Sequence, residues 1–99
     1  MELPIAVDAG GIAAFCRKHY ITKLAFFGSV LTERFGPDSD VDVLVEFDPD
    51  HIPTLFDVVR MERELSESIG RKADMRTPQD ISRHFRDEVL RTALVQYAA

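Results

Sequence analysis

The most informative stretch of the chain is residues 26–47, which read FFGSVLTERFGPDSDVDVLVEF. A hydrophobic run ends there at Gly28 and Ser29, and a second apolar run follows Asp40. Glycine lets the backbone turn sharply and leaves peptide N–H groups open to an anion. The stretch therefore predicts two strands joined by a short helix and a loop, with a phosphate-binding turn where the first strand ends.

Two aspartates lie on the second predicted strand. Because side chains alternate between the faces of a strand, Asp40 and Asp42 point the same way. The valines Val41, Val43 and Val45 point the other way. Neighbouring carboxylates raise each other's pKa unless a cation neutralises them, and magnesium combines protein carboxylates with water and substrate phosphate oxygens. The pattern therefore predicts a site for a metal-bound nucleotide.

This pattern resembles the minimal nucleotidyltransferases (MNT proteins) of the DNA polymerase β-like superfamily, which in prokaryotes are often paired with HEPN-domain toxins. The family has Gly-Ser, a spacer and Ser-Asp-x-Asp-hydrophobic-Leu-Val, and this chain has Gly28-Ser29 and then SDVDVLV at residues 39–45. The family also has a helix after the second strand and a third strand with one more acid. Asp74, within KADM at residues 72–75, fits that place, so the resemblance extends over nearly the whole chain.

Two positions depart from the family pattern. Many members have arginine and glycine soon after Gly-Ser, whereas residues 30–33 are VLTE here, and Gly36 stands where a basic residue is common. These departures reduce the positive charge expected around the phosphates. The nearest bases in sequence are Arg34, Arg71, Lys72 and Arg76, and the sequence alone assigns none of them to a triphosphate.

The resemblance implies a polymerase β-like α/β (α+β) fold, a small mixed sheet of three or more strands packed with helices. It also implies that the protein transfers AMP from ATP to a hydroxyl group of a HEPN-domain toxin, with tyrosine as the expected acceptor residue. The protein would thereby act as the antitoxin of that toxin. Asp40, Asp42 and Asp74 would be catalytic and would bind two Mg²⁺ ions, while Gly28 and Ser29 would bind the nucleotide. A hetero-oligomer with the toxin is expected.

Two other interpretations stay open at this point. In the first, the aspartates lie on an exposed strand face and Gly-Ser only makes a turn. In the second, the protein is an antitoxin that neutralises its partner by binding alone, with acids that are catalytically weak, inactive or used only to hold a nucleotide.

Length and composition narrow the function classes. The 99 residues, of which 45% are hydrophobic and 29% charged, predict a single globular domain over residues 1–99. A net charge of −5 disfavours direct nucleic-acid binding, which depends on clustered lysine and arginine. The single cysteine, Cys16, excludes an internal disulfide, and no apolar run is long enough to span a membrane. We therefore expect a cytoplasmic protein without membrane association.

The remaining elements follow from periodicity and capping residues. Asp8 is the expected N-cap of a first helix, and a short helix is expected over residues 29–35. A long helix is expected from Thr54 to Gly70, with an apolar face of Leu55, Val58, Val59, Met61, Leu65 and Ile69. Strands are expected over residues 23–27, 40–45 and 71–76, and a last helix over residues 87–97.

Overall fold

The computed structural model describes residues 3–99. Within that range the chain forms three α-helices, α1 (Ala9–Lys18), α2 (Leu55–Ile69) and α3 (Arg83–Thr92). It also forms four strands, β1 (Ile21–Phe27), β2 (Val41–Phe47), β3 (Ala73–Arg76) and β4 (Leu94–Ala98). Two short 3-10 turns span Gly28–Leu31 and Pro78–Asp80. The mixed α+β fold class is confirmed, whereas the single domain over residues 1–99 stays a prediction, and its residues 1–2 lie outside the described part.

The four strands form one mixed sheet in the order β3-β2-β1-β4. Strand β1 is antiparallel to both β2 and β4, and β2 is parallel to β3. A parallel pair needs a crossover connection, and helix α2 lies in the connection from β2 to β3. The ends of β1, β2 and β3 that carry the predicted site residues therefore lie side by side.

Each face of the sheet carries a cluster of packed apolar residues. The main core packs one face against α1 and α2, and it contains the predicted inward valines Val41, Val43 and Val45. The second face holds a smaller cluster of Ala25, Leu44 and Ile81. Val89 of α3 and Ala93, the residue that follows α3, pack against this cluster. Since Asp42 and Leu44 are two residues apart on one strand, Asp42 points to the face that α3 covers.

Helix α2 begins and ends as the sequence predicts. The N–H of Asp57 donates to Thr54 Oγ1 (3.2 Å), and the N–H of Thr54 donates to Asp57 Oδ2 (2.9 Å), which is a complete capping box. Gly70 ends the helix with a φ of 72°. Its predicted apolar face is wrong in part, because Leu55 is 77% and Val59 52% exposed. The later members of that face, Met61, Leu65 and Ile69, are buried as predicted. Periodicity shows which residues share a face of the helix, but it does not show how much of the helix packs against the sheet.

The helix predicted over residues 29–35 is wrong. The structure has only a 3-10 turn, Gly28–Leu31, and Thr32 has the extended angles φ −130° and ψ 168°. The Thr32 hydroxyl donates to the Ser29 carbonyl (2.9 Å) and accepts from the Arg34 N–H (3.2 Å). Such local side-chain hydrogen bonds compete with helix formation, so the helical conformation ends after a single turn. Ser29 therefore lies inside the turn and is not a helix N-cap.

The last helix predicted over residues 87–97 is confirmed up to Thr92 and is wrong beyond it. Helix α3 ends at Thr92, and residues 94–98 form the edge strand β4. Leu94 pairs with Phe26, and Tyr97 pairs with Leu24. The free edge of β1 offers unpaired backbone groups, and Val95 and Tyr97 favour strands, so pairing with β1 overrides the helical spacing of the apolar residues.

Helix α1 has the predicted cap and buries the single cysteine. Asp8 Oδ1 accepts from the Gly10 N–H at 3.1 Å. Burial raises the pKa of the Cys16 thiol to about 11, so the side chain stays neutral and packs as an apolar group. None of the helices within residues 3–99 combines the length and the hydrophobicity that crossing a membrane requires.

Candidate active site

The Gly28–Leu31 turn directly follows β1 and is fixed by the residues around it. Val30 is buried in the main core and anchors the turn. Gly28 has a φ of 76°, a conformation that side-chain-bearing residues rarely adopt. A Cβ on Gly28 would fall against Asp42 Oδ2 and only 3.2 Å from Asp42 Cγ. The position thus requires glycine for two reasons, and the predicted phosphate turn lies in contact with a predicted acid.

The acids come from β2, β3 and the residue before β2. Asp42 is the register partner of Phe27 on β1 and of Asp74 on β3. Partners on adjacent strands project to the same face, so Asp42 and Asp74 share one surface next to Gly28. Asp40 lies one residue before β2 and is exposed, while Asp42 and Asp74 are half-buried. The sheet therefore arranges Gly28, Asp42 and Asp74 in a row, as the sequence predicts.

These carboxylates interact electrostatically. Burial raises the pKa of Asp42 above its usual value, and the charges of Asp74 and Asp40 raise it further. Only Arg76 acts in the opposite direction. Like charges close together favour protonation or a bound cation. The donor set of carboxylate oxygens suits a hard divalent ion such as Mg²⁺.

The three carboxylates are not gathered around a single point. Asp40 Oδ2 lies 3.9 Å from Lys72 Nζ, and Asp74 Oδ2 lies 3.1 Å from Arg76 Nη2. Among residues 3–99, no three His, Cys, Asp or Glu side chains converge closely enough to hold a metal ion. Ion pairs at or near the surface, such as these two, contribute at most about 1 kcal/mol, so breaking them costs little. The exposed Asp40 and the half-buried Asp74 could therefore turn toward Asp42 at small cost.

Arg71 organises the loop that carries Asp40. Its guanidinium donates to the carbonyls of Gly36 (2.6 Å), Pro37 (3.1 Å) and Ser39 (2.6 Å). It also lies over the ring of Phe35, 4.3 Å from the centroid. Three carbonyl acceptors and a stacked ring make Arg71 a positioning residue for the loop before the acids. The sequence gives no signal for this role, because the acceptors are backbone atoms more than thirty residues away.

The bases near the site differ in what they contact. Arg71 binds the loop carbonyls, Lys72 pairs with Asp40, and Arg76 pairs with Asp74. Arg34 lines a cleft together with Gly28 and Ser29, and its guanidinium forms no ion pair or hydrogen bond within residues 3–99. Arg34 is consequently the cation of this group that is available to an added phosphate.

A family profile described as a nucleotidyltransferase domain matches residues 11–96. The chain belongs to this family. The match includes the Gly28 turn and the three aspartates, so the enzyme class is that of a transferase of nucleotidyl groups.

Individual relatives agree with this placement. A Methanocaldococcus jannaschii protein that is inferred to be a protein adenylyltransferase is 34% identical over 77 residues, which cover 78% of this chain and 81% of that protein. The solved structure of a protein inferred to be a minimal nucleotidyltransferase has a TM-score of 0.71 at 29% identity, covering 87% of this chain and 86% of that one. This nucleotidyltransferase confirms the predicted fold.

A more distant structure shares the same fold. It is a crystal structure of a toxin–antitoxin complex with AMP-PNP, and it has a TM-score of 0.73 at 14% identity. The match covers 94% of this chain and 75% of that chain. At this identity the likeness concerns the fold alone.

Proposed function

We propose that this protein transfers AMP from ATP to a hydroxyl group, a tyrosine in the simplest case, of a partner protein of the HEPN toxin type, and so acts as the antitoxin in the cytoplasm. The observation that carries the chemistry is the position of Asp42, which touches Gly28 on one side and is paired with Asp74 on the other. A glycine turn in contact with one carboxylate, and a second carboxylate on the adjacent strand, suit nucleotidyl transfer.

The reaction forms a bond from the acceptor oxygen to the α-phosphorus of ATP and breaks the bond to the β-phosphate oxygen, which leaves in pyrophosphate. Asp40 and Asp42 would hold a Mg²⁺ ion, which when bound neutralises charge on the phosphate oxygens, and Asp74 would help to bind a second one. Gly28 and Ser29 would hold the phosphates through the turn backbone. Asp74, on the outer side of Asp42, would accept the proton of the acceptor hydroxyl. Most of the catalysis would come from positioning and charge neutralisation.

Three observations support a protein acceptor. The relative from Methanocaldococcus jannaschii carries the name of a protein adenylyltransferase, and the fold is shared with a toxin–antitoxin complex that holds a nucleotide. The chain has a net charge of −5, which suits a basic partner such as an RNA-binding toxin through complementary charge.

The test is to mix the purified protein with ATP, magnesium and the protein encoded beside it, and to measure intact masses. We expect the neighbour to gain one or more AMP units with wild type, and none with Asp42→Asn. Asp50→Asn is the matched control, because Asp50 is an exposed acid beyond the opposite end of β2. If the wild-type protein neutralises the toxicity of its partner but the partner keeps its unmodified mass, transfer of AMP is not the mechanism.

That outcome would favour the second candidate, an antitoxin that acts by binding alone. The observation in its favour is that Asp40 and Asp74 are paired with Lys72 and Arg76 and are not gathered with Asp42 around one point. Under this alternative the complex still forms, and Asp42→Asn neutralises the partner as well as wild type does. The same experiment therefore separates the two candidates.

A further inference from the structure

A cleft of about 750 Å³ separates the Gly28–Leu31 turn from helix α3. Its turn-side wall includes Gly28, Ser29 and Arg34, and its helix-side wall includes Phe85, Glu88 and Val89. Its volume falls in the roughly 300–1,000 Å³ range of small-ligand sites. The cleft begins at the residues proposed to hold phosphates, so any nucleotide bound there has this space beside it.

Phe85 is the main apolar group that the helix side presents to the cleft. Its side chain is 62% exposed, although it belongs to an α-helix that packs on the sheet. The phenyl ring belongs to neither of the two buried clusters of residues 3–99. An aromatic ring at the wall of a cleft offers a flat apolar surface on which a nucleobase can stack.

The two walls of the cleft carry opposite charges. The turn side carries the guanidinium of Arg34 and the backbone of the glycine turn, both of which attract phosphate. The helix side carries the carboxylate of Glu88, which repels phosphate and can accept hydrogen bonds from hydroxyl or amino groups. Arg34 and Glu88 do not pair with each other within the described residues. Phosphates therefore belong at the turn, and the nucleoside belongs toward α3.

We propose that this cleft is the nucleoside-binding part of the site and that the base of the donor nucleotide stacks on Phe85. The proposal rests on the proposed function, because it assumes that the triphosphate occupies the Gly28 turn. It assigns α3 a role in substrate recognition that neither the aspartates nor the glycine turn can supply. Removing an aromatic stacking partner weakens binding of a base by about 5- to 150-fold.

The first experiment compares two ligands by calorimetry on the full chain with magnesium. ATP contains the nucleoside, whereas inorganic tripolyphosphate contains only the phosphates. We expect Phe85→Ala to weaken ATP binding by at least about five-fold and to leave tripolyphosphate binding unchanged. Phe56→Ala is the matched control, since Phe56 is a phenylalanine on α2 that is 79% exposed and does not line the cleft.

The second experiment places a reporter in the cleft. The sequence contains no tryptophan, so Phe85→Trp introduces a single one whose fluorescence reports on that position alone. We expect saturating ATP with magnesium to change this fluorescence and tripolyphosphate to leave it unchanged. Phe56→Trp should respond to neither ligand. Because tryptophan also stacks on bases, Phe85→Trp should keep at least the wild-type affinity for ATP.

The outcomes distinguish failure of the inference from failure of the proposed function. If ATP binds wild type but Phe85→Ala binds it equally well, or if the tryptophan of Phe85→Trp does not respond to bound ATP, the nucleoside lies elsewhere and the inference is wrong. If wild type binds ATP no more tightly than tripolyphosphate, no nucleoside site exists and the inference is wrong as well. If wild type binds neither ligand, the proposed function itself fails.

Discussion

The carboxylate of Asp42 occupies the space in which a side chain on Gly28 would have to begin. This contact links the end of β1 to the middle of the acidic row, because Asp42 is in turn the register partner of Asp74. A change at Gly28 therefore acts on the acids as well as on the turn. The Gly28–Leu31 turn and the predicted metal ligands are therefore one structural unit.

The first prediction concerns Gly28→Ala. The substitution adds the cost of a positive φ, about 1–2 kcal/mol, and also displaces the Asp42 carboxylate. Gly70→Ala is the matched control, because Gly70 has a similar φ of +72° but nothing within 4 Å of its Cβ position. We expect thermal unfolding to show a loss of stability in both variants, and calorimetry to show loss of magnesium-ATP binding only in Gly28→Ala. Equal ATP affinity in the two variants would show that a change at the Gly28 turn does not affect the function of the acids.

The second prediction concerns Asp42→Asn. Burial and the charges of Asp74 and Asp40 raise the pKa of Asp42, so its ionised form lowers the stability of the metal-free protein at neutral pH. The neutral isostere should therefore be at least as stable as wild type without metal. Magnesium with ATP should then raise the melting temperature of wild type and leave that of the variant unchanged. At an ATP concentration of one hundred times the dissociation constant, the added stability of wild type is about 2.7 kcal/mol. A similar rise in both proteins contradicts the assignment of Asp42 as a metal ligand.

The third prediction concerns pH and lies away from the site. Hydrogen bonds from Lys18, at 2.8 Å, and then from His19 lower the pKa of Glu64 from its ordinary 4.5. A lowered folded-state pKa means that the unfolded chain binds more protons, so this stabilisation is complete above pH 4.5 and is lost as the pH falls through the folded-state pKa. Because the side chains of Lys18 and Glu64 are substantially exposed, the effect should not exceed about 1 kcal/mol.

Glu64→Gln should accordingly destabilise the protein at pH 7 and have no effect in acid, below the folded-state pKa of Glu64. Glu67→Gln is the control, since Glu67 is exposed on the same helix and forms no ion pair within residues 3–99. Urea denaturation at several pH values measures the difference. A Glu64→Gln effect that persists unchanged in acid would show that packing, and not charge, connects α1 to α2.

The strands around the acids could be predicted because their signals are local. Val41, Val43 and Val45 alternate with the aspartates, and that period fixes which side chains share a face. The position of Asp74 beside Asp42 needed only a third strand parallel to the second. The roles of Asp40, Asp42, Asp74, Gly28 and Ser29 in binding and catalysis stay predictions.

The parts that the sequence did not predict depend on distant contacts. Strand β4 forms because β1 has a free edge, and the apolar spacing of residues 89–97 fits a helix equally well. Arg71 binds carbonyls of the loop before Asp40, and backbone acceptors leave no pattern in a sequence. The cleft beside Phe85 lies between the Gly28–Leu31 turn and α3, which are distant in the sequence, so no local pattern predicts it.

The last prediction concerns Asp74, whose proposed duty differs from that of Asp42. Asp74 lies on the far side of Asp42 from the Gly28 turn, in the order β3-β2-β1 of the sheet. That position is farther from the cleft beside Gly28 than Asp42 is, and it suits the acceptor hydroxyl. An acid that serves mainly the acceptor contributes to the transition state more than to the binding of ATP.

Asp74→Asn should therefore keep much of the affinity for magnesium-ATP and lose transfer by about 10²–10⁴-fold, the range expected when a general base is removed. Calorimetry of ATP binding and a mass-based count of AMP on the partner protein measure the two properties separately, with Asp50→Asn as the control for a lost surface charge. Transfer at a near wild-type rate would show that Asp74 has no catalytic role. If ATP binding falls as far as in Asp42→Asn, Asp74 acts as a ligand of the metal-bound nucleotide and the acceptor proton must go to another group.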